Sequence, residues 1–369
     1  MNKLRVGVLG ATGMVGQQFV TRLAGHPLFS TTALAASARS AGRTYADAVE
    51  GRWSLSREIP EEVAAARVAE VSDLDAICAE VDFVFCALST DKETTRRIEE
   101  DYARREIPVI SANSAHRWVA DVPVLIPEVN AEHIHVIPAQ RRRLGTERGF
   151  VTAKPNCSIQ PYVPALDALG DFAPLEVSVC TYQAVSGAGR TLAGWPEMAD
   201  NVIPYISGEE EKSEREPLKI WGQIEGDRIV EADGPTISAQ CVRVPVSDGH
   251  LACVSVRFRH RPAPEEILER WAAYEGRPQE LGLPSAPQPF LQYLDAEDRP
   301  QTRLDRDAGN GMAVTLGRLR EDRIFDYRFV ALSHNTARGA AGGSILTAEL
   351  LLAEGYLNAT RSQTETHPC

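Results

Sequence analysis

The chain has 369 residues, enough for two domains of ordinary size, with 43% hydrophobic and 24% charged residues, the balance of a globular protein. A formal net charge of −12 argues against nucleic acid or an anionic membrane as the main partner. No apolar run approaches the ~20 residues that span a bilayer, and none of the 7 cysteines stands in a Cys-x-x-Cys pair, which gives a zinc or iron–sulfur centre no support.

The odd cysteine count and the lack of a recognisable leader are what a reducing cytoplasm leads one to expect. In chain order, Leu4 to Leu9 reads as a buried strand that runs into Gly10-Ala-Thr-Gly-Met-Val-Gly16. A helical pattern of Val15, Phe19, Val20 and Leu23 follows. Strand, glycine turn and helix are the opening of a Rossmann-like dinucleotide-binding domain, where the backbone approaches a pyrophosphate at the helix N-terminus. Ala11 fills one of the usual glycine positions, so the spacing is Gly-x-x-Gly-x-x-Gly.

The next strand, Thr31 to Ala36, leads to Ser37, Arg39, Ser40 and Arg43, and the first acid is Asp47. An NAD enzyme places Asp or Glu here for the ribose 2′-hydroxyl. Hydroxyls and arginines suit a 2′-phosphate instead, which points to NADP. Val81 to Leu88 is another buried strand, ending at Ser89, and a charged helix follows to about Arg105. A further strand, Pro108 to Ser111, precedes Arg117, which follows a strand end where ligands of such sheets collect. Residues 139–149 read as an exposed basic loop.

Phe150-Val-Thr152 ends a strand, and Lys154-Pro-Asn-Cys-Ser158 follows it. Ile159, Tyr162, Val163, Leu166 and Leu169 then recur at helical spacing. Cys157 thus sits where a loop enters a helix, and the helix dipole there favours a thiolate. Cys157 is the candidate nucleophile; a buried structural cysteine is the bland alternative.

Beyond it the texture becomes α+β. Leu175 to Val185 alternates like a strand with one exposed face. Glu209-Glu-Glu-Lys212 opens a helix, and Thr236 to Val246 reads as a strand. Ser247-Asp-Gly-His250 is its turn, and Leu251 to Phe258 is the return strand. Strands continue from about 312 to 333, and His334 to Gly343 opens a last helix of small residues. The tail after Leu357 is polar and expected to fray. A pyridine nucleotide and a cysteine together suggest aldehyde oxidation through a hemithioacetal and a thioester. The scheme needs a base, and His250 is the best candidate.

Gly10-Ala-Thr-Gly-Met-Val-Gly16, Pro155-Asn-Cys-Ser158, Tyr182-Gln-Ala-Val-Ser-Gly-Ala-Gly189, Glu209-Glu-Glu-Lys212, Arg243-Val-Pro-Val246 with Asp248-Gly-His250, and Asn335-Thr-Ala-Arg-Gly-Ala-Ala-Gly342 occur in one order. Over nearly its whole length the chain resembles aspartate-semialdehyde dehydrogenase of the archaeal and fungal branch. The resemblance implies Cys157 as nucleophile, His250 as acid–base, and Gln183 orienting the intermediate. Arg243 would bind the substrate carboxylate and Glu209 its ammonium group, while Arg117, Lys212 and Asn156 would hold phosphate. Cofactor contacts would fall at Gly10, Thr12, Gly13, Met14, Val15, Ser37, Arg39, Ser40, Ser89, Ser186, Gly187 and Asn335.

It implies a fold of an N-terminal Rossmann-like NADP-binding domain (1–155, completed by a helix at about 336–358). A catalytic and oligomerisation domain (156–335) with a mixed or antiparallel sheet would complete it, in a homodimer or homotetramer. The reaction would be NADPH-dependent reduction of aspartyl phosphate to the semialdehyde, in lysine, threonine and methionine biosynthesis. The sequence departs from the family's usual pattern at Ile159-Gln160, at Leu251-Ala252 and at Ala112 to His116. Two rivals stay open: a related reductase of an acyl-CoA such as malonyl-CoA, or of another acyl phosphate, and a non-catalytic nucleotide-binding relative.

Overall fold

The computed structural model describes residues 2–359, which divide into two compact units. The first holds residues up to 113, 141–151 and those from 351 on; the second holds 114–140 and 152–350. The chain passes between the units more than once. The polar tail expected to fray lies, from residue 360 on, outside the described residues.

The strands are β1 Leu4–Leu9, β2 Phe29–Ala36, β3 Val68–Glu70, β4 Phe83–Cys86, β5 Val109–Ser111 and β6 Val151–Ala153, in the order β3-β2-β1-β4-β5-β6. The pairs β1/β2, β1/β4, β2/β3 and β4/β5 are parallel. Apolar runs without alternation produce this, because a parallel sheet is covered on both faces. Leu9, Val84, Cys86, Tyr102 and Val109 share one core cluster. The chain winds outward on both sides of β1, so the loops after β1 and β4 flank a topological switch point, where such sheets bind ligands.

Residues 139–149 are not the loop expected of them. The helix Ile137–Leu144 covers the start of this stretch, and Leu144 is buried. The Arg141 guanidinium lies 5.1 Å from the centre of the Phe150 ring and 5.9 Å from that of Tyr356. Arginine stems and planes cover aromatic surface well, so a basic run here is partly a packing element.

In the second unit the strands are β7 Pro174–Gln183, β8 Gln223–Glu225, β9 Arg228–Val230, β10 Thr236–Arg243, β11 His250–Phe258, β12 Leu291–Leu294, β13 Val314–Glu321 and β14 Tyr327–Ser333. Six form a mixed sheet, β10-β7-β11-β14-β13-β12, and β8 and β9 form a separate ribbon. β10 and β11 are not the hairpin that Ser247-Asp-Gly-His250 suggests. β7 lies between them, parallel to β10 and antiparallel to β11. Alternation decides the faces: Val177, Val179 and Thr181 of β7 are buried while Ser178 and Tyr182 are exposed. The buried face joins Val254, Val256, Trp271 and Phe329 in one core.

This topology positions the site. Arg243 pairs with Gln183, and Leu251 pairs with Tyr182. The last residues of two parallel strands and the first residue of an antiparallel one therefore meet at one sheet end. Among the described residues no helix is long and apolar enough to cross a membrane.

Candidate active site

Cys157 follows β6 on a short loop. The Asn156 side chain accepts the Ser158 N–H at 2.8 Å and so starts a single 3₁₀ turn, Cys157–Ile159. The helix expected from Ile159 to Leu169 is only Val163–Asp167, with a proline in its first turn. Ile159, Tyr162, Val163, Leu166 and Leu169 are all buried, as their spacing predicts. Pro161 and Pro164 cannot supply the N–H groups of a longer helix. Activation of the thiol by a helix dipole is thus corrected: one 3₁₀ turn carries little of it. Burial instead pushes the Cys157 thiol up to about 11; Glu209 adds to the rise, and Lys154, Arg117 and Arg243 oppose it.

His250 is not a surface turn residue. It opens β11 and is fully buried, with Nε2 3.4 Å from Cys157 Sγ. Its Nδ1 accepts the N–H of Ala184 at 3.1 Å. A neutral imidazole carries one proton, which therefore sits on Nε2, facing the sulfur. Burial and the Arg243 charge hold the ring down to about 3, against Glu209 and the Gly249 carbonyl.

Around this pair stand the other expected residues. Gln183 is buried and donates through Nε2 to Glu209 Oε2 at 3.3 Å. Asn156 Nδ2 donates to Glu209 Oε1 at 2.9 Å, and Lys212 Nζ donates to the same oxygen at 2.7 Å. Burial works to raise Glu209, but Lys212, Asn156 and Gln183 outweigh it and hold the carboxyl below its usual range. Glu209 and Lys212 lie in the first turn of the helix Glu209–Ile220, so the acidic run is more than a solvated helix start. Arg243 donates from Nη1 to the Ala184 carbonyl at 2.7 Å. Asn335 accepts the Gly249 N–H at 2.8 Å and donates to Ser186 Oγ at 2.8 Å. An added Cβ on Gly187 would sit 2.9 Å from the Arg243 guanidinium and 3.1 Å from the His250 ring.

Arg117, expected at a phosphate, is buried and committed to the protein. Its Nη1 donates to Glu216 Oε1 at 2.8 Å and its Nε to the Lys154 carbonyl at 2.9 Å. Glu216 Oε2 also accepts the Asn156 N–H at 2.6 Å. Glu216 thus braces the loop that carries Cys157, and the sequence reading missed it. Its signal was present: Glu209, Lys212 and Glu216 recur on one helix face. The reading also missed Gly339, whose Cβ, if present, would stand 2.7 Å from Cys157 Cβ. Gly339→Ala is expected to displace Cys157 and lower kcat by about 100-fold; steady-state kinetics of a variant with unchanged circular dichroism checks this.

The remaining expected cofactor residues lie in the first unit. Gly13 precedes the helix Met14–Leu23 with no side-chain cap, and Val15 lies in its first turn. The first-turn N–H groups are therefore free for an anion. Gly10 has φ +82°, and a Cβ there would lie 2.4 Å from the Ala87 carbonyl oxygen. Thr12 lies in that turn and Ser89 is exposed after β4. Ser37 and Arg39 are exposed after β2, while Ser40 is buried and its hydroxyl accepts from Arg52 at 3.4 Å. A side-chain-free cradle at an uncapped helix, with hydroxyls and arginine after β2, fits a dinucleotide carrying a 2′-phosphate.

Two family models match the chain: the semialdehyde dehydrogenase NAD binding domain over residues 5–137 and the semialdehyde dehydrogenase dimerisation domain over 164–338. The aspartate-semialdehyde dehydrogenase of Aspergillus fumigatus is 44% identical, over 96% of this chain and 99% of its own. That of Archaeoglobus fulgidus is 45% identical, over 95% and 98%. Among solved structures, the aspartate semialdehyde dehydrogenase of Candida albicans with NADP superposes with a TM-score of 0.87 at 39% identity, over 96% of this chain and 100% of that one. Aspartate semialdehyde dehydrogenase II of Vibrio cholerae gives 0.74 at 26% identity, over 96% and 99%.

Proposed function

Since the chain belongs to the aspartate-semialdehyde dehydrogenase family, we propose that it reduces aspartyl 4-phosphate to the semialdehyde, reversibly, with Cys157 as covalent nucleophile. The observation that carries this reading is the 3.4 Å approach of Cys157 Sγ to His250 Nε2, ringed by Gln183, Glu209 and Arg243. The Cys157 sulfur attacks the acyl carbon and phosphate leaves, forming a thioester. NADPH, when bound, supplies the hydride that reduces it. The Nε2–H of His250 hydrogen-bonds to the oxygen that gains charge; as that oxygen re-forms the carbonyl, the C–S electron pair returns to sulfur, the aldehyde departs and the Cys157 thiolate is left.

Gln183 orients the acyl group. Arg243 binds the substrate carboxylate, for which a guanidinium fork is suited, and Glu209 binds the ammonium group. Lys212 and Asn156 serve the phosphate, with Arg117 shaping their loop. Gly10, Thr12, Gly13, Met14 and Val15 hold the pyrophosphate, and Ser37, Arg39 and Ser40 the 2′-phosphate. Ser89, Ser186, Gly187 and Asn335 complete the cofactor contacts.

The matched dimerisation region supports a working homo-oligomer, a dimer or tetramer. The six described cysteines are free thiols, which suits a reducing cytoplasm. The test is a steady-state assay of aspartate semialdehyde with NADP, with phosphate, with coenzyme A, and with neither. Phosphate-dependent NADPH formation is expected; turnover that needs coenzyme A instead would assign the chain to the acyl-CoA rival.

A further inference from the structure

Glu209 stands between the groups that meet the two ends of the substrate. Its Oε1 accepts Lys212 Nζ at 2.7 Å and Asn156 Nδ2 at 2.9 Å, and its Oε2 accepts Gln183 Nε2 at 3.3 Å. On the reading above, Glu209 binds the substrate ammonium while Lys212 and Asn156 serve the phosphate. The carboxylate assigned to one end of the substrate thus holds, through a single oxygen, both groups assigned to the other end.

An ammonium group and Lys212 compete for this carboxylate. Each makes a charge-assisted bond of about 2.8 Å, so two of them on Glu209 would lie within about 6 Å of each other. The Glu209 side chain is 12% exposed and that of Lys212 25%, and water screens like charges poorly at such a site. One negative charge balances one of the two cations and not both, so the arriving ammonium displaces the resident one.

Lys212 is free to leave. It lies in the first turn of the helix Glu209–Ile220, whose N-cap, Gly208, supplies no side-chain cap. The positive end of the helix dipole disfavours a lysine there, and the pairing with Glu209 offsets this. Once released, its ammonium swings on a flexible stem beside a helix end that itself favours an anion. Asn156 can also give up Glu209 without disturbing the nucleophile. Its Oδ1 accepts the Ser158 N–H at 2.8 Å and fixes the Cys157 turn, while its Nδ2 faces Glu209.

We propose that Glu209 couples the two ends of the substrate by partner exchange: the substrate ammonium takes the carboxylate from Lys212 and Asn156, and these two then hold the phosphate. An acyl group without the ammonium leaves Lys212 on Glu209 and meets a weakened phosphate site. The exchange therefore selects aminoacyl phosphates over plain acyl phosphates. The inference deepens the proposed reduction of an aminoacyl phosphate and rests on it.

Coupling of this kind is read as a ratio of dissociation constants. Inorganic phosphate is titrated calorimetrically into the full-length protein with saturating L-2-aminobutyrate, which carries the ammonium and carboxylate but no group that reacts with Cys157. The comparison is butyrate, which lacks the ammonium. The wild type is expected to bind phosphate about tenfold more tightly with aminobutyrate than with butyrate, within the usual range for coupled sites. In Lys212→Met phosphate binding weakens with both, and the ratio is expected to fall to about one. A ratio near one in the wild type overturns the proposal. So does a tenfold ratio that survives in Lys212→Met, because the ammonium would then attract phosphate directly.

Glu209→Gln supplies a second measurement with the opposite sign. It releases Lys212 permanently, so with butyrate it is expected to bind phosphate about tenfold more tightly than the wild type does. Weaker or unchanged binding overturns the proposal. Phosphate that neither binds nor supports turnover in the wild type fails the proposed function itself. Phosphate-dependent turnover with equal phosphate affinities in aminobutyrate and butyrate fails only the exchange.

Discussion

Cys157→Ser is expected to abolish turnover, by at least about 10⁴-fold in kcat, with KM for NADP little changed. The serine keeps the Cβ that packs on the Gly339 backbone, so the loop should hold its shape. What is lost is the nucleophile: a hydroxyl ionises far less readily than a thiol and leaves far less readily from the acyl carbon. His250 does not compensate, because it stays neutral from about pH 5 to 8, burial and Arg243 having pushed it to about 3. Stopped-flow measurement of NADPH formation with the semialdehyde is the check. Residual turnover within tenfold of the wild type would remove the covalent scheme altogether.

The second large effect concerns stability. Arg338 is 1% exposed and forks onto Glu128, Nη1 to Oε1 and Nη2 to Oε2, and Glu128 is fully buried on its side chain. The guanidinium also lies 4.5 Å from the centre of the Phe290 ring. Glu128→Gln leaves a buried cation without its counter-charge and is expected to cost about 3–5 kcal/mol, read as a lowered urea midpoint. The double variant Glu128→Leu with Arg338→Met is expected to recover most of that loss, because two apolar side chains of similar volume carry no desolvation cost. Arg338 also precedes Gly339, so the single variant should lose activity before it unfolds. Equal losses in the single and double variants would mean that the pair matters by shape and not by charge.

How much of this was legible from the chain differs by element. The opening strand, glycine turn and helix were readable because each is a local pattern: an apolar run, residues free at positive φ, and a 3.6-residue period. Gly10 and the helix Met14–Leu23 fall where those patterns put them. Cys157 was readable from its polar turn, and the alternation of Val177, Val179 and Thr181 announced which face of β7 is inside. The helix after Cys157 is shorter than its apolar spacing suggests and starts late, at Val163, as Pro164 leads one to expect from the sequence, because the two prolines interrupt the hydrogen bonding.

By itself, then, the sequence determined the two classes of domain and singled out the candidate cofactor cradle and the candidate nucleophile, all read from neighbouring residues. Only the tertiary structure decided that β7 intervenes between β10 and β11, bringing Gln183, Arg243 and His250 to one sheet end. It alone placed Glu216 under the loop that carries Cys157 and the Gly339 backbone beside the Cys157 Cβ. These depend on contacts between residues as far as 182 positions apart (339 − 157), and such contacts are set by which faces bury one another, not by any period along the chain.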